Sequence, residues 1–163
     1  MTDTFTRSAR SEIMRRVRSN DTTPELRARR VLHAAGFRYQ LHRRDLPGTP
    51  DLVLPRFRIV VFVHGCFWHW HGCKRSRMPA ANRDYWERKI SRNRQRDQTN
   101  VKSLRKSGWR CRILWECKLE RGLKQLVREL QRERRAAGPP VAGTRRKFSF
   151  IGIASPGSPR RPE

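Results

Sequence analysis

Apolar and polar positions follow several distinct rhythms along the 163-residue chain, and each rhythm predicts an element. From Thr6 to Arg18 the pattern is weak. Ile13, Met14 and Val17 stand among basic residues, which suits a short helix or an arm that orders on a partner. The string SNDTTPE then breaks the chain and opens a helix. Thr23 can cap it, Pro24 suits the first helical position, and Glu25 meets the positive helix end. Leu26, Val31, Leu32 and Ala35 supply an apolar face, and Gly36 suits a left-handed C-cap. From Phe37 the period shortens. FRYQLH reads as a strand, LPGTP as a turn and DLVLP as a second strand with Asp51 at its start. FRIVVFVHG is apolar on both faces, as expected of a central strand.

A polar, aromatic, cysteine-rich insertion from Gly65 to Pro79 follows. Trp86, Ile90, Val101 and Leu104 then predict one or two helices up to Lys106. Gly108 leads into the strand WRCRILWE, in which Trp109, Cys111, Ile113 and Trp115 share a face and Arg110 and Arg112 point away. Leu119, Leu123, Leu126, Val127 and Leu130 fall at helical spacing, giving a last amphipathic helix to about Ala136. The order predicts an α/β domain over 21–136, with a mixed β-sheet flanked by helices. A basic arm or helix over 1–20 precedes it. A basic Gly/Pro-rich tail over 137–163 follows, in which FSFIGI can add a short strand. Neither GxGxxG nor GxxxxGK[ST] occurs, so a dinucleotide or P-loop site has no support.

Charge narrows the choice of partner. The formal net charge of +25 attracts polyanions, nucleic acid first and an anionic membrane second. The absence of a long apolar run argues against a membrane span, and the N-terminus lacks the apolar core of a signal peptide. A cytoplasmic location is the resulting expectation. In a reducing compartment Cys66, Cys73, Cys111 and Cys117 are thiols or metal ligands rather than disulfides.

The string HGCFWHWHGC gathers His64, Cys66, His69, His71 and Cys73 within residues 64–73, and Cys117 follows the later strand. Three thiolates and one imidazole make a closed tetrahedral zinc site. Spacing leaves the histidine open. His71, two residues before Cys73, is the preferred ligand, and Cys111 reads as core. Asp51 and a free His64 or His69 near strand ends would equip the chain for metal-assisted phosphodiester hydrolysis. The carboxylate would hold Mg²⁺ and the imidazole would take a proton from water. Alternatively, Asp51 is a turn cap and Glu25 merely favours its helix dipole.

The strings PDLVLPRFRIVVFVHGCFWHWHGC, YWERKISRN and GWRCRILWEC, with the opening RSEIMRRVRSNDTTPE, together resemble the very-short-patch repair (Vsr) DNA mismatch endonucleases of bacteria over about Arg7 to Leu130. The resemblance implies a restriction endonuclease-like fold with an inserted structural zinc site. It implies nicking on the 5′ side of T in T:G mismatches that arise from 5-methylcytosine deamination. It assigns Asp51 to Mg²⁺, His69 to activation of water, Glu25 to support of His69 and His64 to the scissile phosphate. Cys66, His71, Cys73 and Cys117 become the zinc ligands. The acidic-x-Lys pair usual in restriction nucleases is absent from Val61–His64, and Val63 stands where a hydroxyl residue can occur in the family. Only the Val63 backbone carbonyl can then assist the metal.

Between Lys74 and Arg96 lie nine basic residues, Lys89 among them, and two acidic ones, a stretch suited to tracking phosphates. The family implies aromatic wedges at the mismatch, carried here to Phe67, Trp68 and Trp86, although Trp86 also suits a core role. The expected partner is double-stranded DNA with a T:G mismatch, bound by a monomer, with a functional link to a cytosine-5 DNA methyltransferase and short-patch repair proteins. The competing readings are a noncatalytic zinc-containing DNA-binding protein, a restriction-type endonuclease acting on matched DNA, and an RNA-binding accessory protein.

Overall fold

A computed structural model describes Glu12, residues 20–80 and residues 82–137. Most of the expected basic arm and nearly all of the expected tail, including FSFIGI, therefore lie outside the described residues. The elements in chain order are α1 (Thr23–Ala34), β1 (Gln40–Leu41), β2 (Leu52–Leu54), β3 (Ile59–His64), α2 (Arg83–Lys106), β4 (Arg110–Trp115) and α3 (Leu119–Ala136), with short 3₁₀ turns at Pro55–Phe57, Lys74–Ser76 and Glu116–Lys118.

The four strands form one sheet in the order β1-β2-β3-β4. β1 and β3 run antiparallel to β2, while β3 and β4 are parallel. The sheet is thus mixed and β3 is internal, as the two-sided apolar run FRIVVFVHG requires. Its residues divide between two cores by strand parity. Ile59 and Val61, with Leu52, Leu54 and Leu114, pack under α1 and α3 against Ala28, Leu32, Leu123, Leu126 and Leu130. Val60 and Phe62, with Val53, meet Leu104 and Trp109 on the α2 side. Fully burying each large aliphatic side chain contributes about 1.5–3 kcal/mol, so both helical layers are held chiefly by this contact.

Several local expectations change. Thr22, not Thr23, is the N-cap of α1, which places Pro24 at the second helical position. The buried positions of α1 are Glu25, Ala28 and Leu32, and Leu26 lies outside this face. A carboxylate therefore occupies the first core-facing place of the helix. Gly36 does take a left-handed conformation, φ 78°, just after the helix. The strand expected over FRYQLH shrinks to Gln40–Leu41, because His42 leaves the extended region at φ 44°. A single 24-residue helix, α2, replaces the one or two expected.

In β4 the core residue is Leu114, and Ile113 is 40% exposed. Arg110 and Arg112 share the parity of Leu114 and lie over α3. There Arg110 bonds Glu133 at 2.6 Å, and Arg112 bonds Glu129. Trp115 stacks on His71 with ring centroids 4.3 Å apart instead of entering a core.

Candidate active site

The parallel register of β3 and β4 fixes the site. His64 and Trp115 are paired neighbours at the C-terminal ends of the two strands, so the chain leaves both at one edge of the sheet. Cys66 and Cys117 follow immediately. Cys66, His71, Cys73 and Cys117 bring one ligand atom each to within 4.8 Å of one another. The His71 Nδ1 is 3.2 Å from the Cys117 Sγ and 4.0 Å from the Cys66 Sγ. These separations and this donor set fit tetrahedral zinc. Of His64, His69 and His71, His71 is the one that joins this cluster.

The loop turns back on itself through the His71 N–H to Cys66 carbonyl bond of 3.0 Å, with Trp70 at φ 50° and Gly72 at φ 78°. Burial pushes the Cys66 thiol up to about 12, whereas a hydrogen bond from His71 brings Cys73 down to about 6. These two thiols therefore do not ionise together unaided, and a dication would favour the thiolate form of both. Cys111 stands apart on the α2 side, packed against the Val60–Trp109 core.

At the next step along the loop, His69 Nδ1 lies 2.5 Å from Asp97 Oδ2 on α2. The rings of His69 and His64 stack with centroids 3.7 Å apart and planes within 9°. Burial, with the neighbouring His69, lowers the His64 pKa to about 4 against the attraction of Asp97, so His64 is neutral at pH 7. Burial opposes the Asp97 charge, but its hydrogen bond to His69, aided by His64 and Arg96, outweighs this and holds the carboxyl below its ordinary value. Asn93, one turn before Asp97, donates to the Trp68 carbonyl at 3.2 Å and ties the loop to α2.

Asp51 precedes β2, and its Oδ2 accepts the Val63 N–H at 2.7 Å. An extended residue sends its N–H and C=O from the same strand edge, so the Val63 carbonyl also faces the Asp51 side. Burial raises the Asp51 carboxyl to about 6. The Val63 N–H opposes that rise, nearby Glu25 adds to it, and His42 and Arg29 oppose it. A partly buried carboxylate made costly to ionise, beside a second buried carboxylate, fits a divalent cation.

Glu25 is 3% exposed. Its carboxylate accepts the Thr22 hydroxyl at 2.8 Å, the Asp21 N–H at 3.0 Å and an Arg29 N–H at 3.4 Å. Glu25 makes no hydrogen bond to His69, which it was expected to support; Asp97 holds that place. Arg29 also bonds Asp21 at 2.6 Å and lies 3.0 Å from His42 Nε2, so a guanidinium fills the centre of the Asp21–Glu25–His42 cluster.

Asp51, Glu25, Val63, His64, His69 and Asp97 all line one cavity of about 400 Å³, together with Gly48, Thr49 and Asn100. The Gly48 turn must lie close to α2. A Cβ there would come within 2.6 Å of the Asn100 amide, at φ 75°.

The aromatic residues of the loop gather beside this cavity. Phe67 meets Trp68 at 5.1 Å and Trp86 at 5.2 Å between ring centroids, and Lys89 Nζ lies 5.3 Å from the Trp68 ring and 5.5 Å from that of Trp86. Phe67 and Trp68 are half-buried, whereas Trp86 is 4% exposed and floors the cluster. Local sequence patterns assign no role to Asn93, Asp97 or Arg29. The available signal was the polar spacing Asn93, Asp97, Asn100 on an otherwise basic helix.

Paired strand ends, a clustered Cys/His set and a carboxylate–histidine cavity, on a chain of net charge +25, fit a nuclease. Comparison with known proteins gives the family. The family model for the DNA mismatch endonuclease Vsr matches residues 2–75. The chain is 50% identical over 119 residues to the type II nicking enzyme V.XorIIP of Xanthomonas oryzae pv. oryzae, covering 73% of this chain and 88% of the relative. It is 41% identical over 137 residues to V.NmeAIP of Neisseria meningitidis (80% and 98% covered), and 39% identical over 134 residues to the DNA mismatch endonuclease Vsr of Escherichia coli K12 (82% and 85% covered). The chain belongs to the Vsr family of DNA endonucleases. Among the described residues no helix is long and apolar enough to cross a membrane.

Proposed function

We propose that this chain is a strand-specific mismatch endonuclease that hydrolyses the phosphodiester on the 5′ side of T in T:G mismatches left by deamination of 5-methylcytosine. One observation carries the reading. Asp51 and the His64–His69–Asp97 group line a single cavity. Zinc at Cys66, His71, Cys73 and Cys117 serves as a structural brace on a restriction endonuclease-like core, holding the loop that presents His69.

Asp51 and the Val63 carbonyl would hold Mg²⁺, with Glu25 adding negative charge to the same cavity. Bound Mg²⁺ would offset charge on the scissile phosphate and the departing oxygen. Because Asp97 accepts the proton on His69 Nδ1, Nε2 is the basic nitrogen and takes a proton from the attacking water. Asp97 then stabilises the resulting imidazolium. His64 stays neutral beneath it, so no second positive ring opposes proton transfer. Phe67 and Trp68 enter beside the mismatch, where unstacking costs least, and Trp86 and Lys89 support them from below.

The nick opens one strand of chromosomal DNA in the cytoplasm for short-patch resynthesis, downstream of a cytosine-5 methyltransferase. A monomer suffices for one asymmetric lesion. The test is nicking of end-labelled duplexes that differ only in one pair, T:G, T:A or C:G, with and without Mg²⁺. The expected result is one cut, 5′ to T, in the T:G duplex alone and only with Mg²⁺. Double-strand cleavage of matched DNA would instead favour a restriction enzyme, and binding without cleavage a noncatalytic DNA-binding protein.

A further inference from the structure

The catalytic cavity adjoins a second one, of about 530 Å³, and the two share the walls formed by Glu25, Val63, His69 and Arg96. Their linings are acidic. Glu25, Asp51 and Asp97 face the first, and Glu25 and Glu116 face the second. A phosphodiester that reaches His69 must therefore enter a place where fixed side-chain charge repels it. Among the described residues lining either cavity, only Arg96 carries a permanent positive charge, and it lines both. The strand that supplies a lysine in restriction nucleases reads Val61–His64 here and offers none.

Arg96 stands on α2 between the two residues that anchor the loop, Asn93 and Asp97. Its one hydrogen bond among the described residues goes from a terminal nitrogen to Asn93 Oδ1, at a long 3.3 Å. The remaining guanidinium donors are available to a ligand. A guanidinium presents paired N–H groups matched to the two nonbridging oxygens of a phosphate, and it does not lose its charge near carboxylates.

We propose that Arg96 is a substrate-binding catalytic residue. It grips the nonbridging oxygens of the scissile phosphate where the two cavities meet, and it stabilises the charge that builds there as water attacks. This assignment rests on the endonuclease reading and deepens it. Arg96 transfers no proton. The proton passes from water to His69, and Arg96 supplies only hydrogen bonds and charge. This separates it from its basic neighbours on α2, whose loss would weaken binding without changing the bond-breaking step.

The test is single-turnover nicking of a T:G duplex with Mg²⁺ at saturating enzyme, for wild type, Arg96→Gln and Arg96→Lys. Each is assayed on the all-oxygen phosphate and on both phosphorothioate isomers at the scissile position. Arg96→Gln should nick about 10²–10³-fold more slowly while binding the duplex within a few-fold of wild type, and Arg96→Lys should recover part of the rate. Sulfur at the oxygen that Arg96 grips should slow wild type, and that penalty should shrink in Arg96→Gln. A purely structural role would leave the sulfur penalty unchanged, and that outcome overturns the proposal. Nicking by Arg96→Gln within about threefold of wild type overturns it equally. Should Arg96→Gln fail to fold, the sulfur penalty in Arg96→Lys carries the same decision. A wild type that leaves T:G duplex intact would overturn the endonuclease reading itself, whereas a wild type that nicks beside an equally fast Arg96→Gln removes only this residue.

Discussion

Replacing Asp51 by Asn should stabilise the protein as it abolishes cutting. The native carboxyl is raised from an ordinary 3.8 to about 6, so between these values the folded chain holds a proton that the unfolded chain has released. Wild-type stability therefore falls as pH rises through this window, and above it the full cost of burying the charge is present. At roughly 1.4 kcal/mol per pH unit the cost approaches about 3 kcal/mol, and partial solvent access reduces it to about 1–3 kcal/mol. Asn keeps an oxygen for the Val63 N–H and carries no charge. Denaturant melts in Mg²⁺-free buffer with zinc retained should show Asp51→Asn more stable by this amount at pH 8, with the gap falling below about 1 kcal/mol near pH 4. Adding Mg²⁺ should then raise the stability of wild type alone, because only its carboxylate is released from this cost by a cation. An Asp51→Asn protein no more stable than wild type at pH 8, or a gap that does not change with pH, would refute the reasoning.

Asp97→Asn should slow nicking about 10²-fold or more with little change in duplex affinity, since Asn no longer holds His69 in the tautomer that leaves Nε2 basic; single-turnover rates and a binding titration check this. Cys117→Ser should reduce bound zinc from about one per chain, as read by metal analysis, and lower the melting temperature together with activity. Replacing both Phe67 and Trp68 by Ala should reduce the preference for T:G over T:A duplex far more than affinity for matched DNA, measured at one salt concentration. Gly48→Ala should destabilise by about 1–2 kcal/mol in denaturant melts, because it combines a left-handed backbone with a contact into Asn100.

What could be read in the sequence was whatever depends on local rhythm. The two-sided apolar run of β3, the Leu spacing of α3 and the Cys/His spacing of the loop each announce a buried strand, an amphipathic helix and a metal-binding set. Cys66, His71, Cys73 and Cys117 converge because β3 and β4 are parallel and in register, a relation between segments some fifty residues apart that no local pattern carries. For the same reason local spacing gives Asp97 no role. Its partner His69 lies on another element, and an acidic residue in a basic helix looks like surface. From the local pattern alone Glu25 reads as a dipole partner, because the apolar face of α1 is phased on Leu26, while the helix in fact turns Glu25, Ala28 and Leu32 inward; only the family resemblance gives it a place in the site. Ile113 and Leu114 exchanged places because hydrophobicity alone does not say which face of an outer strand is covered.

The central claim is that Asp51 and His69 act on one phosphate, brought together by the braced loop. Single-turnover nicking of an end-labelled T:G duplex, with duplex binding measured on the same samples, tests it for wild type, Asp51→Ala and His69→Ala. Both variants should bind as wild type does and leave the strand uncut. Undiminished cutting by either one would contradict the account.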